Sequence, residues 1–195
     1  MKLLTPFKIR FLTLAALGAV LLIGPAAGEN PSALAGHFGL HRNSCYARDY
    51  DEAHLKAHPN QRIARIRIEH FPGLYGPYGE DGKVHMDETT GEVHFTVTVA
   101  YRDKPYALLS DSGTCTPDGD KLNCYIECDG GGFSLTDAGA DAILLHNRGF
   151  RVMACGEDET EGGWVNPEPD DKVFKLTRVP DSECVPPPEE LETNQ

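Results

Sequence analysis

From residue 93 to residue 101 the chain alternates: Val93, Phe95, Val97, Val99 and Tyr101 interleave with His94, Thr96, Thr98 and Ala100. A period of two predicts a strand with one face in a core and the other toward water. Residues 62–70 repeat the pattern, with Ala64, Ile66 and Ile68 set against Arg65, Arg67 and Glu69. Shorter apolar runs predict further strands at 84–86, 106–110, 122–128, 133–135, 142–146, 150–155 and 173–178. Asn147-Arg148-Gly149 reads as a tight hairpin between two of them, and Gly130-Gly131-Gly132 as a bend or bulge. The one helical signal is Asp49 as N-cap with Glu52 three residues on, stopped by Pro59, which predicts a short helix over 50–58. Short strands joined mostly by short turns predict a mainly β fold, an antiparallel β-barrel with one short N-terminal helix; a β-sandwich is the alternative.

The N-terminus changes the picture. Lys2, Lys8 and Arg10 precede an apolar run over 11–23, followed by the small residues Ala26, Ala27 and Gly28. That order reads as a secretory signal peptide over 1–28, with Ala33-Leu34-Ala35 a second place for cleavage. An uncleaved anchor is the alternative, but the run is short of the roughly 20 apolar residues that a span needs. Residues 29–44 read as a flexible leader, 45–184 as one disulfide-bonded domain, and 185–195, with Pro186-Pro187-Pro188 and several Glu, as a disordered acidic tail. The whole chain carries 18 basic and 30 acidic residues; losing Lys2, Lys8 and Arg10 leaves 15 basic, a net charge near −15. Such a surface repels phosphate backbones and anionic headgroups, which argues against nucleic acid as a partner.

Six cysteines follow the leader: Cys45, Cys115, Cys124, Cys128, Cys155 and Cys184. An even number in an exported chain predicts cross-links. As the ends of one strand, Cys124 and Cys128 would lie about 13 Å apart, too far to bridge each other. Cys115 and Cys124 flank the turn residues Pro117-Asp118-Gly119-Asp120, so a bridge across a hairpin is expected there. The remaining expected pairs are Cys128 with Cys155 and Cys45 with Cys184, the last fastening the chain ends together.

Cys45-Tyr46-x-Arg48-x-Tyr50-Asp51, His54-Leu55, His58-Pro59, Cys124-x-x-x-Cys128-Asp129-Gly130-Gly131-x-Phe133 and Phe174-x-Leu176 are short motifs spread over most of the domain. In these the chain resembles small exported cysteine-containing proteins of alphaproteobacteria, a group that implies compartment and source but no activity.

Candidate chemistry is sparse. Asp51, His54 and His58, at spacings of three and four, would share one side of a helix and could ligate a divalent metal with a further ligand; a packed, hydrogen-bonded histidine pair is the competing reading. Glu157, Asp158, Glu159 and Glu161 form an acidic run that matches no EF-hand spacing and reads as solvated. Tyr75, Tyr78 and the single tryptophan, Trp164, lie in predicted loops and form a candidate binding surface. There is no nucleophile elbow, and oxidised cysteines offer no thiolate. The expectation is therefore a periplasmic or secreted binding protein, non-enzymatic, with a small ligand or an envelope protein as partner and without stable membrane insertion. A metal-binding protein using His54 and His58, and a hydrolase with dispersed carboxylates, are the alternatives.

Overall fold

The computed structural model describes residues 33–39, 42–71, 92–153 and 163–184. Among the described residues nine strands run in chain order: β1 (Ser44–Asp49), β2 (Ile63–His70), β3 (Val93–Tyr101), β4 (Lys104–Asp118), β5 (Lys121–Ile126), β6 (Gly131–Asp137), β7 (Ala142–Val152), β8 (Gly163–Val165) and β9 (Val173–Arg178). Each strand from β1 to β7 pairs antiparallel with its successor, β7 also pairs with β9, and β9 returns to β1. The result is a closed eight-stranded antiparallel barrel. The three-residue β8 pairs with Phe150, Arg151 and Val152 at the end of β7, beyond the stretch that β9 occupies.

Alternation closes the ring because most strands offer an apolar face to the axis, although β1 places Ser44 there and β4 places Asp111 opposite Val97. Val93, Phe95, Val97, Val99 and Tyr101 of β3 point inward, as do Ile66 and Ile68 of β2, and Phe95, Val97, Val99, Ile66 and Ile68 are fully buried. Facing them are Phe133 and Leu135 of β6, Ile143, Leu145 and Phe150 of β7, and Phe174 and Leu176 of β9. The rings of Phe95, Phe133 and Phe150 meet edge to face in series, each centroid 5.2 Å from the next. Burying one such side chain contributes about 1.5–3 kcal/mol. Closure also leaves no long unpaired strand edge in the ring.

Both disulfides among the described residues join the cysteines expected. Cys115 and Cys124 are register partners on β4 and β5, inside the core, and the hairpin between them turns in two residues, where Gly119 supplies a φ of 63°. Cys45 on β1 bridges Cys184, just past a 3-10 turn at Asp181–Glu183. Cys128 is disulfide-bonded as well; Cys155 lies outside the described residues.

Three expectations are corrected. Asn147-Arg148-Gly149 is no hairpin: β7 runs through it, and the register against β6 slips by one residue between the Phe133–Asn147 and Gly131–Phe150 pairs. Gly149, at φ 93°, absorbs that slip as a β-bulge, and its N–H donates to Asn147 Oδ1 at 2.8 Å. The leader is not loose throughout. Ala33–Gly36 form a 3-10 turn, and Leu34, His37 and Phe38 are buried against one end of the barrel. The helix α1 is shorter than expected, Glu52–Ala57, so His58 is its C-cap and Asp51, not Asp49, its N-cap. The strand expected at 84–86, the acidic run at 157–161, the signal segment and the tail lie outside the described residues.

Candidate functional site

Asp51, His54 and His58 do not assemble as ligands. The Asp51 carboxylate accepts the His54 backbone N–H at 2.7 Å, which is its capping duty. The His54 and His58 rings stack at 4.3 Å and 22°, so their in-plane nitrogen lone pairs run side by side instead of converging. His54 Nε2 is taken up by Gln61 Oε1 at 3.0 Å, and Tyr50 stacks on the ring's other face. Among the described residues no group of three His, Cys, Asp or Glu side chains is placed to hold a metal ion.

The end of the barrel under residues 33–39 holds a polar cluster that the sequence did not advertise. His37 Nε2 lies 2.8 Å from Asp137 Oδ1 and its Nδ1 2.7 Å from the Tyr46 hydroxyl. A neutral imidazole satisfies both, donating to the carboxylate and accepting from the phenol. Arg178 donates to the Tyr46 oxygen and, at 3.0 Å, to the His37 carbonyl, while its guanidinium lies 4.8 Å from the Tyr46 ring centroid. Order and spacing imitate a relay of acid, base and hydroxyl, but Tyr46 is fully buried. Burial pushes its phenol pKa up against the opposing pull of Arg178. A protonated hydroxyl sealed from solvent offers no nucleophile, so the cluster fastens the N-terminal segment to the barrel.

The outer wall presents the opposite situation. Tyr125 on β5 and Trp164 on β8 are 56% and 43% exposed, large aromatic surface left in water. Between their strands the backbone is bare. Gly132 is the register partner of Tyr125, Gly131 pairs with Phe150, and Gly149 sits in the bulge. These glycines, with Tyr125, Ile126, Asp129 and Arg148, line an open groove. A Cβ on Gly131 would overlap the Gly149 carbonyl and stand 3.2 Å from Trp164 Cζ3; a Cβ on Gly132 would overlap the Cys124 carbonyl. The triple glycine therefore lets β6 approach its neighbours closely, with the indole beside Gly131 at the edge of the groove.

Arg148 forms one wall. Its guanidinium lies 5.6 Å from the Tyr125 ring centroid and donates to the Phe133 carbonyl at 3.1 Å. Among the described residues no carboxylate reaches it within ion-pair distance. The rim turn is fixed: Cys128 and Asp129 hold φ values of 54° and 59°, Gly130 N–H donates to Glu127 O, and Arg151 donates to Cys128 O at 3.1 Å. Of the three aromatics offered as a candidate binding surface, Trp164 stands beside Gly131 at the groove's edge, whereas Tyr75 and Tyr78 lie outside the described residues. Tyr125 was missed because, in a run of alternating residues, an outward tyrosine reads like any other water-facing position.

Fold and groove define a closed up-and-down β-barrel with an aromatic cleft on its outer wall. No family model, curated protein or solved structure matches the chain.

Proposed function

We propose that the protein is an exported, non-enzymatic binding module of the bacterial cell envelope that captures its partner on the outer wall, in the groove between Tyr125 and Trp164. The observation that carries this reading is the pair of exposed aromatic side chains beside a glycine-lined groove. Exposed rings on a rigid scaffold supply contact area at small cost in conformational entropy. Most described inward positions carry apolar side chains packed on one another, with Asp111, the register partner of Val97, and Ser44 as exceptions, which favours an outer site over the lumen. The disulfides favour an oxidising compartment outside the cytoplasm, and no helix among the described residues is long and apolar enough to cross a membrane. The resemblance to small exported alphaproteobacterial proteins supports the same compartment.

A photo-crosslinking amino acid placed at Tyr125 or Trp164, against a control at Lys175 on β9, tests the reading in cells of the source. Adducts confined to the first two positions are expected. Equal labelling at all three, or none at 125 and 164, contradicts it.

A further inference from the structure

We infer that the groove takes an uncharged saccharide chain. This deepens the proposed binding role and rests on it. The Tyr125 ring, with one face toward Arg148 and the other free among the described residues, and the half-exposed Trp164 ring offer apolar faces suited to the C–H faces of pyranose units. Arg148 and Asp129 stand at the same groove and offer a planar donor and an acceptor to sugar hydroxyls. One cation and one anion leave the lining close to neutral, and the chain as a whole carries a net charge of −12, which disfavours uronic-acid or phosphate-bearing polymers. An extended peptide would instead seek a free strand edge to pair with, and closure of the ring removes the long edges. Gly149 is open, with Pro167 Cδ 3.9 Å from where a Cβ would stand, so a flat ligand can lie close to the backbone there, and the fixed turn at 127–130 preorganises the rim.

Trp164 is the only tryptophan, so its fluorescence reports on the site without a label. The mature protein is titrated with neutral β-linked glucose oligomers, N-acetylhexosamine oligomers, uronic-acid oligomers and an unstructured neutral peptide. A saturable change in indole emission is expected with one neutral oligomer series, tightening with chain length. Tyr125→Ala, which leaves the indole reporter in place, is expected to weaken that binding about tenfold, equivalent to ~1.4 kcal/mol. Trp164→Ala is followed by calorimetry and is expected to lose it. Urea midpoints equal to wild type establish that both variants fold.

Saturation by the uronic-acid series or by the peptide alone overturns the saccharide inference and leaves the binding face standing. So does silence from every probe when photo-crosslinks still form at 125 and 164. Silence from every probe together with absent crosslinks overturns both. Neutral-oligomer binding that is unchanged in both aromatic variants places the sugar elsewhere and also overturns the inference.

Discussion

Removing the two characterised disulfides one at a time separates what each contributes. Cys45 and Cys184 are 139 residues apart in sequence, Cys115 and Cys124 only 9. In the chain-entropy treatment a cross-link restricts the unfolded chain in proportion to the logarithm of the loop it closes. The long loop then corresponds to about 5 kcal/mol and the short one to about 2.6 kcal/mol at 25 °C. Cross-links inside the long loop shorten it by tens of residues and change its logarithm little. In the folded state, the Cys45–Cys184 bridge reinforces the β1–β9 seam, whose register comprises only the pairs Tyr46–Arg178 and Ala47–Thr177. Cys115–Cys124 spans a hairpin already held by six register pairs. Paired Cys→Ala variants are unfolded in urea with the other bridges oxidised. Cys45→Ala/Cys184→Ala should lose roughly twice as much stability as Cys115→Ala/Cys124→Ala, even though the second pair is fully buried in the core and also forfeits packing. If the hairpin pair proves the costlier, the seam does not depend on its bridge and the reasoning fails.

Tyr46→Phe keeps the ring beneath Arg178 but removes the hydroxyl shared with His37; a loss of about 2 kcal/mol in urea unfolding, with an unchanged m-value, is expected. The His37 hydrogen bond holds the Asp137 pKa below its ordinary 3.8. Its contribution is thus complete above the unfolded value and lost as pH falls through the lower folded one, so Asp137→Asn should flatten the acid limb of a stability–pH curve below about pH 4. Burial raises the Tyr101 phenol to about 12. Folding then binds a proton that the unfolded chain releases, stability falls as pH rises from about 10 toward 12, and absorbance titration should find several late-ionising tyrosines, the latest of which Tyr101→Phe removes. Peptide mapping without reduction should recover Cys128 joined to Cys155.

Much of the barrel was legible because the inward faces of most strands are apolar. β2 and β3 announce themselves by unbroken alternation, and β9 by Phe174 and Leu176. β1 was not legible: Ser44, Tyr46 and Arg48 share a face, and nothing in Ser-Cys-Tyr-Ala-Arg-Asp marks a strand until β2 and β9 pair with it on either side. Asn147-Arg148-Gly149 misled for a related reason. The residues that make a tight turn also make a bulge, and only the β6 register tells them apart. The histidines showed helical spacing, but two features decided their role: a helix that ends one residue before His58, and ring stacking. The groove was half visible, through Trp164 and the glycine run. Its other wall required knowing that Tyr125 and Gly132 are neighbours across two strands.

The most direct test of an outer-wall binding face is amide shift mapping of the isotopically labelled protein, residues 29–195, on adding size-fractionated envelope extract from the source cells. Perturbation gathered at Tyr125, Ile126, Gly131, Gly132, Gly149 and the Trp164 indole is the expected result. Shifts gathered instead on inward residues such as Phe95, Phe133 and Phe174, with the groove silent, would contradict it.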